Sequence, residues 1–417
     1  MRNYWDPNFY SESRHSSIVM HYEMHMKDPV DGAILTWAVN HASQRYPYFR
    51  VRVDREGESL VINPNPLPIV VRYGISKPVA LCSPESNFHV CAVIYEGNTI
   101  FFELSHMMSD GQGRQPWVKS ILYYYLTKRY DVELDPTGIN LVDSPISEGE
   151  SGNPFPEGIP DNEKPFYEDN SAWMHLTDYG HVREDLTPTL YKLTCSEDDL
   201  MKLCNGHDST PATLCTNLYA RAIRRVHGES TVYPIVGQMC MNHRPGLGCP
   251  DNYHLLISAF KMSYSEEFFD KDMTEEGTIS RGEVLLNSEK QNSLAYAAGY
   301  RKYVEYLESL PTLEEKRKAA RLVPPFATST FIVSYVRKVD YGCAMPYIDS
   351  VYPHIGLPGM SPLLEINAMG GSFCLIFCQN FHTDVYAKAF AEELKDCGIE
   401  STLSEPLPHV MPIVDLD

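Results

Sequence analysis

The segment from Thr99 to Gly113 reads TIFFELSHMMSDGQG, and its pattern decides the fold. Its first seven residues are mostly β-branched or aromatic, which favours a strand. Ser109 and Gln112 have the spacing of a helix capping box. Apolar residues then recur at helical intervals, at Trp117, Val118, Ile121, Leu122, Tyr125 and Leu126. The pattern therefore predicts a strand, a tight joint and a helix.

His106 occupies the predicted joint between the strand and the helix. A histidine fixed at the end of a strand is well placed to accept a proton from a bound molecule. Gly111 and Gly113 allow the backbone to bend closely there. The alternative is that His106 only forms local hydrogen bonds, and for a single histidine that interpretation usually holds. The spacing H-x-x-x-D-G, from His106 to Gly111, favours a functional site instead.

This motif, placed between a strand and a helix, resembles the signature of the acyltransferase superfamily. That superfamily includes chloramphenicol acetyltransferase, the condensation domains of nonribosomal peptide synthetases, and stand-alone alcohol and polyketide-associated acyltransferases. The resemblance implies an α/β fold (an α+β sandwich) of two similar halves in a V, with a central channel at the motif.

The resemblance also implies a reaction. An acyl group passes from a thioester, with acyl-CoA as the expected donor, to a hydroxyl or amine acceptor. His106 is the expected general base, and no covalent acyl-enzyme is needed. Backbone N–H groups near Gly111 are expected to help stabilise the oxyanion. Acyl-CoA enters as a co-substrate, and no bound cofactor is expected.

Three further positions take their roles from the resemblance. Asp110 is expected to be structural and to pair with an arginine of the second half, for which Arg244 is the candidate. A bidentate arginine–carboxylate pair would suit that role. Ser334 and Tyr335 are candidate substrate-binding residues, because relatives place a hydroxyl there against the tetrahedral intermediate. An ordinary strand residue is an equally good interpretation of either position.

The 417 residues exceed what one hydrophobic core usually holds, so two halves are expected. Residues 135–171 are rich in Pro, Gly, Ser and acidic residues, which is typical of a connecting segment. We therefore divide the chain into an N-terminal half, 1–134, a crossover linker, 135–171, and a C-terminal half, 172–417.

The formal net charge of −20 argues against binding to nucleic acid, which requires a basic surface. The eleven cysteines lack a C-x-x-C motif and are odd in number, which favours free thiols in a reducing cytoplasm. No apolar stretch has the length of a membrane span. His21, Glu23 and His25 alternate along one strand, but without further ligands they indicate a polar sheet face, not a metal site.

Two other functions stay open at this point. Besides an acyl-CoA-dependent enzyme, the chain could be a condensation-type enzyme that takes its acyl group from an acyl carrier protein. It could also be a catalytically silent relative that binds ligands. Release of free thiol from acyl-CoA in the presence of small-molecule alcohols and amines separates an enzyme from a binding protein. Dependence on a carrier protein separates the two enzymes.

Overall fold

The computed structural model describes residues 5–159, 172–176, 188–228, 233–322, 329–355, 361–408 and 412–416. The strands in these ranges are β1 Val19–Met26, β2 Val51–Glu56, β3 Ser59–Pro64, β4 Val71–Tyr73, β5 Cys91–Glu96, β6 Thr99–Ser105, β7 Thr189–Ser196, β8 Ile235–Asn242, β9 Ile257–Tyr264, β10 Phe331–Lys338, β11 Ile348–Ile355, β12 Leu363–Met369, β13 Ser372–Gln379, β14 Ser401–Leu403 and β15 Leu407–Pro408. The helices are α1 Gly32–Ala42, α2 Gly111–Tyr130, α3 Glu148–Ser151, α4 Glu197–Gly206, α5 Pro211–His227, α6 Arg244–Leu247, α7 Glu266–Phe269, α8 Met273–Asn287, α9 Lys290–Ser309, α10 Leu313–Arg321 and α11 Val385–Asp396.

The first sheet has the strand order β11-β1-β6-β5-β4, with β6 in the middle. Every residue of β6 is buried, as expected for a strand covered on both faces. Helices α1 and α2 contribute to the hydrophobic core of this sheet, with Leu35, Val39, Trp117 and Ile121 among its members. The strand and helix that flank His106 thus belong to one packed core, which limits the movement of the joint between them.

The second sheet has the order β14-β7-β13-β12-β10-β8-β9. Alternate residues of its central strands face opposite sides. Leu364 and Ile366 belong to a core that includes apolar residues of helices α5 and α11. Ile332 and Leu363 belong to a separate cluster that contacts Ile18, just before β1. This second face of the sheet is therefore turned towards the first half of the chain.

The two halves of the chain are interleaved. Strand β11, which follows β10 in sequence, pairs with β1 of the first sheet in antiparallel register, with Met24 opposite Val351. Residues from α9 and α10, such as Leu307 and Leu313, pack into the core of the first sheet. Segments beyond residue 172 thus contribute to both sheets. The division of the chain at that residue remains a prediction.

The part of the predicted linker that the structure describes, 135–159, is fixed by a buried ion pair. Glu150 accepts hydrogen bonds from Nη1 and Nη2 of Arg45, each at 2.8 Å. The Tyr48 hydroxyl donates a third hydrogen bond at 2.5 Å. Burial alone raises the pKa of Glu150, but these hydrogen bonds outweigh it and hold that pKa below its ordinary value.

We predict that Glu150→Ala lowers the free energy of unfolding by about 3 kcal/mol, because it leaves the buried Arg45 cation unpaired. The control is Arg55→Ala, which removes an exposed pair with Glu58 and should cost under about 1 kcal/mol. Since the pKa of Glu150 is lowered, its contribution is complete above about pH 4.3 and is lost as the pH falls further. Urea unfolding at pH 7 and at pH 4 tests this, and equal effects of the two variants would contradict it.

Candidate active site

His106 is buried at the end of β6 and is held by two hydrogen bonds. Its backbone N–H donates to the Ile18 carbonyl at 2.8 Å. Its ring Nδ1 lies 2.8 Å from the Ser109 carbonyl oxygen. A carbonyl oxygen only accepts, so Nδ1 carries the proton and Nε2 is left as the basic nitrogen. Burial lowers the pKa of His106, and the bond to Ser109 opposes only part of that effect. The ring is therefore neutral at pH 7.

Asp110 caps helix α2, so the predicted capping box of Ser109 and Gln112 was wrong. Oδ1 of Asp110 accepts from the Gly113 N–H at 2.9 Å. The Ser109 hydroxyl instead donates to the Tyr253 carbonyl at 2.6 Å, and the Gln112 amide donates to the Pro250 carbonyl at 3.2 Å. The motif is thus tied to the segment after α6 by both of the residues that were expected to cap the helix.

The structure brings Asp110 and Arg244 together. Arg244 Nη1 donates to Asp110 Oδ2 at 2.8 Å, and the two side chains are 1% and 3% exposed. The pair is not bidentate, because the other guanidinium nitrogens donate to the carbonyls of Asn252, at 2.8 Å, and His254, at 2.7 Å. Asp110 Oδ2 also accepts from the Leu256 N–H at 3.0 Å. None of these bonds involves the His106 ring.

Gly111 and Gly113 are needed for space. A Cβ atom at Gly113 would lie 2.2 Å from the Tyr253 carbonyl oxygen, and one at Gly111 would lie 2.9 Å from the Tyr22 hydroxyl. Neither glycine has a positive φ angle. The expectation that they provide a bend is therefore replaced by a steric requirement. They allow the start of α2 to approach β1 and the segment that carries Tyr253.

Ser334 and Tyr335 lie on opposite faces of β10. Tyr335 is turned towards the core of the second sheet, where its ring lies 6.4 Å from that of Phe373. Ser334 shares its face with Ile332, whose cluster contacts Ile18. Because the Ile18 carbonyl accepts from the His106 N–H, the Ser334 face is the one turned towards the histidine. Of the two candidates, Ser334 is the better placed.

Two buried charged residues near the motif were missed. Arg114, in the first turn of α2, is fully buried, and its guanidinium carbon lies 3.6 Å from the centre of the Tyr22 ring. Glu365 is buried in the middle of β12. Both carried a signal in the sequence. Arg114 falls on the same helical face as Trp117 and Ile121, and Glu365 interrupts an apolar strand. A charge at a core-facing position needs a partner or a function.

His21 and His25 are engaged in local contacts. His21 Nδ1 lies 3.3 Å from a carboxylate oxygen of Glu103, and His25 Nε2 lies 2.6 Å from Glu23. No group of three metal-ligating side chains occurs in the residues that the structure describes. All eleven cysteines are free thiols. Within the described ranges, no helix is both long and apolar enough to cross a lipid bilayer.

Several solved structures, one of them an acetyltransferase, have the same fold. TRI101 of F. graminearum, complexed with coenzyme A and T-2 mycotoxin, has a TM-score of 0.61 at 14% identity over 95% of this chain and 98% of its own. TRI3 trichothecene 15-O-acetyltransferase from Fusarium sporotrichioides has 0.60 at 9% identity, over 94% and 93%. Polyketide synthase associated protein 5 from Mycobacterium tuberculosis has 0.60 at 11%, over 93% and 97%.

No family model and no curated protein is detectably similar in sequence. The likeness is therefore one of fold, and it extends over nearly the whole chain. It confirms the predicted two-lobed, chloramphenicol acetyltransferase-like α/β fold. The motif on which that prediction rested lies at the junction of β6 and α2.

We predict that Asp110→Asn lowers the free energy of unfolding by about 3 kcal/mol, because the buried Arg244 cation loses its counter-charge. The control is Asp208→Asn, whose partner Arg281 is exposed, and its effect should be below about 1 kcal/mol. The Asn variant keeps an oxygen to cap α2, so a loss of stability reports on the contacts of Oδ2 with Arg244 and with the Leu256 N–H. Urea unfolding measures both variants, and an Asp110→Asn protein as stable as the parent would contradict the prediction.

Proposed function

We propose that this protein is an acyltransferase of the H-x-x-x-D-G type that uses acyl-CoA to acylate a hydroxyl or amine of a small molecule. One observation carries the proposal: the Ser109 carbonyl fixes the His106 ring with its proton on Nδ1, which leaves Nε2 basic. TRI101, a structural neighbour, is complexed with coenzyme A and a small-molecule toxin, which supports the choice of donor and the class of acceptor.

In the proposed mechanism, Nε2 of His106 removes the proton from the acceptor as its oxygen or nitrogen attacks the thioester carbonyl. A tetrahedral intermediate forms, and its collapse breaks the carbon–sulfur bond. The imidazolium then returns the proton to the departing thiolate. A positioned base of this kind typically contributes about 10²–10⁴-fold to the rate. Because burial keeps His106 neutral at pH 7, it is ready to accept the proton.

The oxyanion is stabilised by two sets of donors in this proposal. Helix α2 begins at Gly111, and the first N–H groups of a helix have no partner within it. The second donor to the oxyanion is the Ser334 hydroxyl, from β10 of the second sheet. Asp110 and Arg244 do not touch the substrate, and their role is to hold the His106 loop against the second half of the chain.

An acyl carrier protein is the alternative donor. The epimerization domain of tyrocidine synthetase B shares the fold, with a TM-score of 0.55 at 10% identity, and is part of a peptide synthetase. The net charge of −20 disfavours docking of an acidic carrier. We place the enzyme in the cytoplasm, since its eleven free thiols suit a reducing compartment.

We predict that His106→Ala lowers kcat by at least about 10²-fold, because the base acts in the transition state. The affinity for CoA and the stability should change little. His15→Ala, at an exposed histidine, is the matched control and should retain full activity. Release of CoA thiol from acetyl-CoA is followed over a panel of alcohols and amines. Since the pKa of His106 is lowered, the parent rate should stay constant down to below pH 6.5 and then fall. Transfer by the Ala variant at the parent rate would refute the mechanism.

Direct transfer also predicts the form of the kinetics. Donor and acceptor must both be bound when the proton moves, so initial rates should give intersecting double-reciprocal lines. The measurement varies acetyl-CoA at several fixed concentrations of the best acceptor. Parallel lines, together with an acylated protein detected by mass spectrometry, would indicate a covalent nucleophile and a different mechanism.

A further inference from the structure

Glu365 lies next to Ser334 on the face of the second sheet that is turned towards His106. In the parallel pairing of β10 and β12, Ser334 is directly opposite Glu365. The thiol of the half-buried Cys240, on β8, also contacts the Ser334 hydroxyl. Glu365 is 2% exposed, and its Oε2 has no hydrogen-bond partner among the described residues. A carboxyl group in this position costs free energy, so it calls for an explanation.

The group formed by Ser334, Glu365 and Cys240 also lies close to Gly111 of the motif. The Val336 side chain, two residues beyond Ser334, lies 4.0 Å from the point where a Cβ of Gly111 would stand. The Tyr22 hydroxyl lies 2.9 Å from that same point. Tyr22, Arg114 and Glu365 are close enough to influence one another electrostatically. Glu365 thus belongs to a buried polar cluster that runs from Ser334 to the start of α2.

The surroundings of Glu365 favour its neutral form. Burial raises the pKa of Glu365 to about 8, although the Arg114 charge and the Ser334 hydroxyl both act to lower it. Arg114 forms no ion pair with Glu365. Its Nη1 donates to the Phe102 carbonyl at 3.1 Å, and its guanidinium lies over the Tyr22 ring. Burial raises the pKa values of Tyr22 and Cys240 to about 12, so both groups are neutral at pH 7.

We propose that Glu365 is a positioning residue that, as a neutral carboxylic acid, donates its proton in a hydrogen bond to Ser334 Oγ and so directs the Ser334 hydroxyl proton to the oxyanion. A hydroxyl has one proton to donate. If Glu365 were a carboxylate, Ser334 would give that proton to the carboxylate. The oxyanion would then lose one of its donors. This role rests on the proposed acyl transfer and adds to it a residue that never touches the substrate.

The proposal predicts how Glu365 variants depend on Ser334. Glu365→Met, which is similar in size but cannot donate, should lower kcat about tenfold and leave the KM for the donor within about twofold. Ser334→Ala should lower kcat by about 10²-fold. Combining the two should cost no more than Ser334→Ala alone, because Glu365 acts through that hydroxyl. A purely structural role predicts instead that the Met effect persists in the Ala background.

A pH profile and a spectrum provide tests that do not depend on the Met variant folding. The parent kcat should fall above about pH 8 as Glu365 ionises, and Glu365→Gln, which cannot ionise, should lack this decline. Infrared spectra of the parent minus Glu365→Gln should show a protonated carboxyl band at pH 7 that is gone at pH 10. A carboxylate at pH 7, or an unchanged alkaline decline in the Gln variant, would overturn the proposal. A parent protein without any transfer activity would overturn both this proposal and the proposed function. The infrared band reports the protonation state of Glu365 independently of activity.

Discussion

The site depends on one buried contact, that between Arg244 and Asp110. The charge of Arg244 is balanced by a single carboxylate oxygen, and its remaining donors take up two carbonyls of the segment that ends in β9. Asp110 in turn caps α2 and accepts from the Leu256 N–H. Through these bonds Asp110, the residue that caps α2, is connected to the second half of the chain. The position of the His106 ring follows from them, because its Nδ1 partner, Ser109, is the neighbour of Asp110 and is itself tied to Tyr253.

Much of this arrangement is predictable from the sequence, because local patterns specify it. The β-branched and aromatic residues before His106 and the helical spacing of the apolar residues after it placed this histidine between a strand and a helix. The motif indicated the fold that the structural comparisons confirm. The choice of Asp110 over Ser109 as the cap is a different matter. It depends on the carbonyl of Tyr253, which draws the Ser109 hydroxyl away and is distant in sequence. No pattern near the motif contains that information.

The face on which a strand residue lies is likewise a tertiary property. Ser334 and Tyr335 were equivalent in the sequence, and the packing of Tyr335 against the second core separates them. Glu365 and Arg114 are harder to predict still. Glu365 and Arg114 come from β12 and α2, two elements that only the folded chain brings together. An isolated buried charge costs free energy, so a buried charged residue in a structure indicates a partner or a function. Burial raises the pKa of Glu365 and lowers that of Arg114, so both groups differ from ordinary surface charges.

Strand β11 constrains how the two sheets can move. Its backbone is bonded to β1 of the first sheet, while the chain on either side of it runs in β10 and β12 of the second. One strand of the second half is therefore the edge strand of the first sheet. Separating the two halves would break the pairing of this strand with β1. Any relative movement of the two sheets that preserves the fold leaves these ladder bonds intact. The motions that remain are small sliding displacements of one packed layer over the other and rearrangements of side chains.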